Sequence, residues 1–271
     1  MKHNYLILLV LIITFFSCEE EVTLPTIDEI TVEAFLHAGQ ALDTVTFSKV
    51  IPFDSVEALV APNDLSPIVI DEDGFSYPLY YLGENGKYGN TELIIETEKS
   101  YRLELDYKGQ TISAETFIPT APQNITLTDT LIRRTKIIDF TDLFDQELPQ
   151  PIEVEWETEE NAWYFVEVRS IEDDPEPINQ LFEEEDIDFS RPTFITEPTT
   201  DPYYLINLRE ITHFGKYEVI VYRVNAEYVA LYEDNTASAG SLNEIRTNVQ
   251  NGFGIFTGVN STRRYFEVRE Q

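Results

Sequence analysis

Carboxylates are the chemistry this chain holds in quantity: 50 Asp and Glu stand beside 3 His and a single Cys. Two carboxyl groups several ångströms apart can serve as acid and base in glycoside hydrolysis. Glu153, Glu155 and Glu157, however, alternate with Ile152, Val154 and Trp156, which puts them on the solvated side of a strand. A second acidic group runs through 171–201 and includes Asp173, Asp174, Glu184 and Asp186, which are calcium candidates because Ca²⁺ takes about six to eight oxygen ligands. The segment lacks an Asp-x-Asp-x-Asp-Gly loop with a downstream Glu, so it reads first as an exposed acidic arm or lid, and no metal or cofactor is expected. Its interleaved Ile178, Leu181, Phe182, Ile187 and Phe189 suggest docking, on its own domain or on a partner.

Nucleophilic chemistry has little to build on. There is no Gly-x-Ser-x-Gly elbow, and the three His and one Cys are too few for a zinc site of the usual kind. His37 and His213 are the imidazoles left once a leader carrying His3 is removed. The expectation is therefore a non-enzymatic protein, with a carboxylate-dependent glycoside hydrolase as a third reading.

The one cysteine has a different assignment. Residues 5–16 are almost unbroken apolar chain after Lys2 and His3, too short for a span of roughly 20 residues and suited to a secretory h-region. Phe15-Phe16-Ser17-Cys18 follows, with Cys18 where a lipoprotein signal peptidase would cut and Ser17 as the small residue before it. Residues 1–17 are thus expected to be a signal peptide, and 18–27 a tether lipidated on Cys18. Glu19, Glu20 and Glu21 open that tether and resemble the acidic export signal that sends lipoproteins of the Bacteroidota to the outer face of the outer membrane. A formal charge of -32 rules against binding phosphate backbones, so no nucleic-acid partner is expected. The same charge cannot hold the chain on an anionic leaflet, so the lipid must.

The elements that would position these groups are strands. Tyr101, Leu103, Leu105 and Tyr107 alternate with Arg102, Glu104, Asp106 and Lys108, a period of two, and Lys108-Gly109 makes a tight turn into a return strand. Runs at 30–35, 44–49, 68–70 and 77–82 read the same way, with Asp71-Glu72-Asp73-Gly74 as a hairpin turn. Pro119 and Pro122 mark a linker. Strand patterning resumes at Ile152, Trp163, Tyr203 and Tyr217, while Tyr228, Val229, Leu231 and Tyr232 have the spacing of one helical face within 226–236. The expected fold is all-β: two consecutive antiparallel sandwiches at 28–119 and 120–271, the second interrupted by the acidic insertion at 171–201, with one short helix.

Two resemblances follow. Val154-Glu155-Trp156, the strand at 164–168 and the run from Ile211 to Val219 resemble a fibronectin type III domain, in which an early Trp fills the core. A Tyr six residues after an apolar anchor closes a corner in that fold, and Ile211 and Tyr217 have this spacing. The order of features across the mature chain resembles the DUF4249 family of Bacteroidota lipoproteins. It is carried by the lipobox, Thr31-Val32-Glu33-Ala34-Phe35, Thr46-Phe47-Ser48-Lys49, the hairpin at 101–119 and the C-terminal segment at 245–258. Members look like companions of TonB-dependent outer-membrane receptors, so the resemblance implies an accessory role in nutrient capture or uptake. It implies no ligand and no catalytic residue. An adhesive or structural surface module is the alternative. Gly252, Gly254 and Gly258, set among Phe253, Ile255 and Phe256, read as a strand approached closely by another backbone or as a bulged turn, not as a phosphate cradle. Asp43-Thr44-Val45, Asp54-Ser55-Val56 and Asp129-Thr130-Leu131 resemble O-glycosylation acceptors of exported proteins.

Overall fold

A computed structural model describes residues 29–50, 61–144, 150–181, 193–236 and 247–271. Cys18, Glu19, Glu20, Glu21, Glu184, Asp186 and the acceptor at Ser55 lie outside these residues.

Alternation in sequence becomes alternation in burial. In β7 (Ser100–Tyr107), Tyr101, Leu103 and Leu105 are buried while Arg102 and Asp106 face solvent. Lys108 and Gly109 both take positive φ, 49° and 83°, as a two-residue hairpin turn into β8 (Gln110–Phe117) demands. The turn between β3 (Ile68–Asp71) and β4 (Ser76–Pro78) is held by Asp71, whose Oδ1 accepts from the Asp73 and Phe75 amides. The first sandwich is completed by β1 (Ile30–His37), β2 (Ala41–Lys49), β5 (Tyr80–Tyr81) and β6 (Lys87–Ile94). The second is built from β9 (Gln123–Leu127), β10 (Leu131–Arg134), β11 (Ile152–Glu157), β12 (Trp163–Ser170), β13 (Thr193–Ile195), β14 (Tyr203–Ile206) and β15 (Gly215–Val224).

Two helices accompany them. α1 (Phe140–Phe144) was not signalled by any periodicity, being barely one turn long. α2 (Ala226–Thr236) has the bounds that its apolar spacing suggests. The chain ends in β16 (Val249–Gln250) and the 18-residue β17 (Phe253–Glu270).

β17 determines the architecture. At about 3.3 Å per residue it spans roughly 60 Å, enough to traverse both sandwiches. Thr31 to His37 pair in parallel with Phe253 to Val259, and Gly215 to Val224 pair antiparallel with Val268 to Val259. One nine-stranded sheet, ordered β13-β12-β15-β17-β1-β2-β6-β5 with β10 beside β17, therefore runs through the whole molecule. A three-stranded sheet (β14-β11-β9) closes the second sandwich and a five-stranded sheet (β16-β8-β7-β3-β4) the first.

The sheets are mainly antiparallel, as expected, with β1 and β10 pairing in parallel with β17. The chain end serves both sides of the 119/120 division: Val249 and Phe256 lie in the first hydrophobic core with Leu36, Phe47 and Leu103, whereas Phe266 and Val268 lie in the second with Trp156 and Tyr217.

Candidate functional site

The shared strand gives the molecule two poles. Ile30, the first residue of β1, sits beside the start of β17, at the end of the first sandwich opposite the second. Val268 pairs with Gly215 at the far end of the second sandwich. Loops of three segments meet at that far pole, and the acidic insertion leaves β12 there, at the level of the Ser170–Tyr217 pair.

The tyrosine corner anchors this pole. The Tyr217 ring is fully buried, stacked on Phe266 at 5.1 Å, and its hydroxyl donates to the His213 carbonyl at 2.9 Å. Burial raises the Tyr217 pKa to about 12. Ile211 is buried as the anchor. His213 is buried as well, its Nδ1 2.8 Å from the Thr212 hydroxyl, and desolvation lowers its pKa. Trp156 packs against Tyr164 at 5.8 Å and is 4% exposed; its indole Nε1 finds no hydrogen-bond acceptor among the described residues. Both sequence-chosen aromatics are thus core residues of the second sandwich.

The insertion docks, at its start, on its own domain. Ile178 is in the second core, its amide donates to the Thr212 carbonyl, and Pro177 bridges His213. The segment before α1 clasps it: the Ile137 amide donates to the Ile178 carbonyl, Gln180 donates back to Ile137, and Lys136 pairs with Glu176. Asp139 accepts from the Thr141 and Asp142 amides while Asp142 accepts from those of Ile138 and Asp139, a reciprocal cap that fixes α1. Those backbone donors, Thr141 first, lower the Asp139 pKa. Fixed in this way, Ile138, Phe140 and Phe144 stand 65%, 65% and 86% exposed.

Of the calcium candidates, Asp173 and Asp174 fall among the described residues. Asp173 and Asp174 are exposed, and among the described residues no three His, Cys, Asp or Glu side chains converge as a metal site would require. Glu153, Glu155 and Glu157 lie on the outer side of β11, partly or wholly solvated, as their alternation implies.

The glycine-rich segment is a seam. A Cβ on Gly254 would stand 1.9 Å from the Val32 carbonyl oxygen, on Gly258 2.4 Å from that of Phe117, and on Gly252 2.8 Å from that of Ile30. These are the close backbone approaches of one of the two readings. Around them, buried and half-buried polar side chains lock the sandwiches together. Glu227 accepts from Thr116 at 2.9 Å and from Thr257 at 3.1 Å; Asn225 donates to the Phe117 carbonyl, and Asn260 to that of Pro119. The Pro119–Pro122 linker is therefore strapped to β17, with Thr262 donating to Pro122 and Arg223 bonded to Thr120 and forked onto Glu159.

On the outer face of the large sheet, Phe165 lies stacked between Tyr222 and Tyr228 at 4.5 and 5.3 Å. Next to them Glu218, almost buried, receives Arg169, Arg263 and Tyr265. Tyr222 donates to Glu167 at 2.7 Å, and its pKa is raised by burial and by that carboxylate. Each of these carboxylates already has its donors, so the cluster joins strands β12, β15 and β17. Sequence reasoning missed it because its members come from three distant strands.

These features fit the comparisons with known proteins. A family model described as "Domain of unknown function (DUF4249)" matches residues 19–265. The chain belongs to the DUF4249 family. No curated protein matches it. Among solved structures, a two fibronectin type-III domain segment from chicken tenascin is similar, with 9% identity over 89% of this chain and 99% of that one and a TM-score of 0.26. Chicken CNTN1 FN1-FN3 domains match at 13% identity over 74% of this chain and 60% of that one, with a TM-score of 0.28. At such TM-scores the fold stands on the sheets and cores described above. The chain is an all-β module whose polar clusters tie strands together.

Proposed function

We propose that this protein is a non-catalytic, lipid-anchored lipoprotein of the outer membrane, facing the cell exterior and accessory to a TonB-dependent transporter in nutrient capture or uptake. The observation that carries the reading is polarity. β1, the first described strand, begins at one pole, and the shared strand directs the second sandwich away from it. A lipid on Cys18 would then seat the first sandwich at the membrane and hold the far end of the second roughly 60 Å along the strand axis from the start of β17. Glu19, Glu20 and Glu21 keep the intervening segment in water. Among the described residues no helix is long and apolar enough to cross a membrane.

The test is purification of the lipidated protein from its native outer membrane in mild detergent, with identification of what co-purifies. A TonB-dependent receptor in stoichiometric amount is the expected result. A clean lipoprotein without a receptor would overturn the accessory role and favour an adhesive surface module, which the same rod would serve by binding a matrix polymer.

A further inference from the structure

We infer that the pole of the second sandwich farthest from the tether is a protein-docking face, shaped for a partner that offers a basic rim around an apolar pocket. The orientation rests on the proposed anchoring; the chemistry of the face does not. Phe140 and Phe144 stand one helical turn apart and project with Ile138 from the surface, where isolated apolar residues are ordinary but a fixed, protruding group is not. The group is preorganised. The Asp139–Asp142 reciprocal cap holds α1, and the Ile137–Ile178 hydrogen bond ties it to the second core, so a partner would not have to order it on binding.

Charge selects the occupant. Asp139 and Asp142 form the cap of α1 itself, Glu176 engages Lys136 on the segment leading into α1, and the exposed Asp173 and Asp174 precede Glu176 in the chain. A second copy of a chain carrying -32 would be repelled, and so would an anionic lipid surface. A basic protein surface is attracted, and its apolar pocket can take the phenylalanines as central anchors.

A photo-crosslinking amino acid placed at Phe144 in the full lipidated chain, irradiated on intact cells, tests this, with the contacted peptide mapped by mass spectrometry. The expected product is one protein, joined through a peptide in which Lys or Arg flank apolar residues. Its yield should fall roughly tenfold when Asp173→Lys and Asp174→Lys, both at exposed positions, are combined. The same group at Glu155, on the outer side of β11, should not give that product. Cross-links to lipid or to a second copy, a yield indifferent to the charge reversal, or no product at all would each overturn the docking face. A partner that meets the criteria without being a TonB-dependent transporter would leave the docking face standing and remove the transporter role.

Discussion

Tyr217 shows how much of this fold rests on single polar atoms placed in apolar surroundings. Its hydroxyl satisfies the His213 carbonyl inside the second core, so Tyr217→Phe removes a buried donor without opening a cavity. We expect a loss of about 1–2 kcal/mol by urea unfolding. His213 adds a pH dependence of known sign. Burial lowers its folded pKa beneath 6.5, so the unfolded chain takes up the proton more readily. The stability contributed by neutral His213 is complete above the unfolded value and is lost as pH falls below it toward the lowered folded value. The urea midpoint should drop between about pH 7 and pH 5, and the slope should be shallower in His213→Asn. His37, lowered mainly by burial, acts in the same direction and leaves a residual slope. The corner was legible from the Ile211–Tyr217 spacing, because a six-residue interval is local. The Glu218 cluster was not, because its partners Arg169 and Arg263 are distant in sequence and meet only across strands.

Among elements, β17 sets the strongest constraint, and its glycines separate steric need from conformational need. Gly254 combines φ of 103° with the Val32 backbone against it, whereas Gly109 has φ of 83° and open space around it. Gly109→Ala should cost about 1 kcal/mol, the strain of a left-handed turn. Gly254→Ala should cost at least about 3 kcal/mol, since β1 must also move. Equal denaturant midpoints for the two variants would contradict this difference. Strand alternation made most of β1, β2, β7, β8, β11, β12 and β15 readable, and the apolar spacing of Tyr228, Val229 and Tyr232 placed α2. The parallel pairing of first strand with last was not readable. Periodicity reports which face a residue takes, and carries no information about which strand lies alongside. α1 was missed because five residues are too few for a period to show.

At the scale of the molecule, two cores share one strand and a buried polar seam. Val249 and Phe256 complete the first core from the chain end, and β1 holds the strand on which the second sandwich is built. Unfolding should therefore be a single transition, with amides of β7 in the first sandwich and β12 in the second losing exchange protection at the same denaturant concentration. Two separated transitions would contradict a shared strand. For the same reason a fragment ending at residue 119 should fail to fold alone. The seam also makes the proposed rod one lever, so that anchorage at the tether fixes where the distal phenylalanines are presented.

That presentation has a direct test, because Cys18 carries the chain's one thiol and the proposed lipidation would consume it. Glu155→Cys places a reporter on the exposed side of β11 in the second sandwich. Intact cells would be treated with a membrane-impermeant maleimide before and after the outer membrane is opened. Anchorage on the outer face predicts full labelling of Glu155→Cys on intact cells, at the outer membrane, and loss of that membrane fraction when Cys18→Ser is added. Labelling only after the membrane is opened would place the molecule on the inner side and contradict the account.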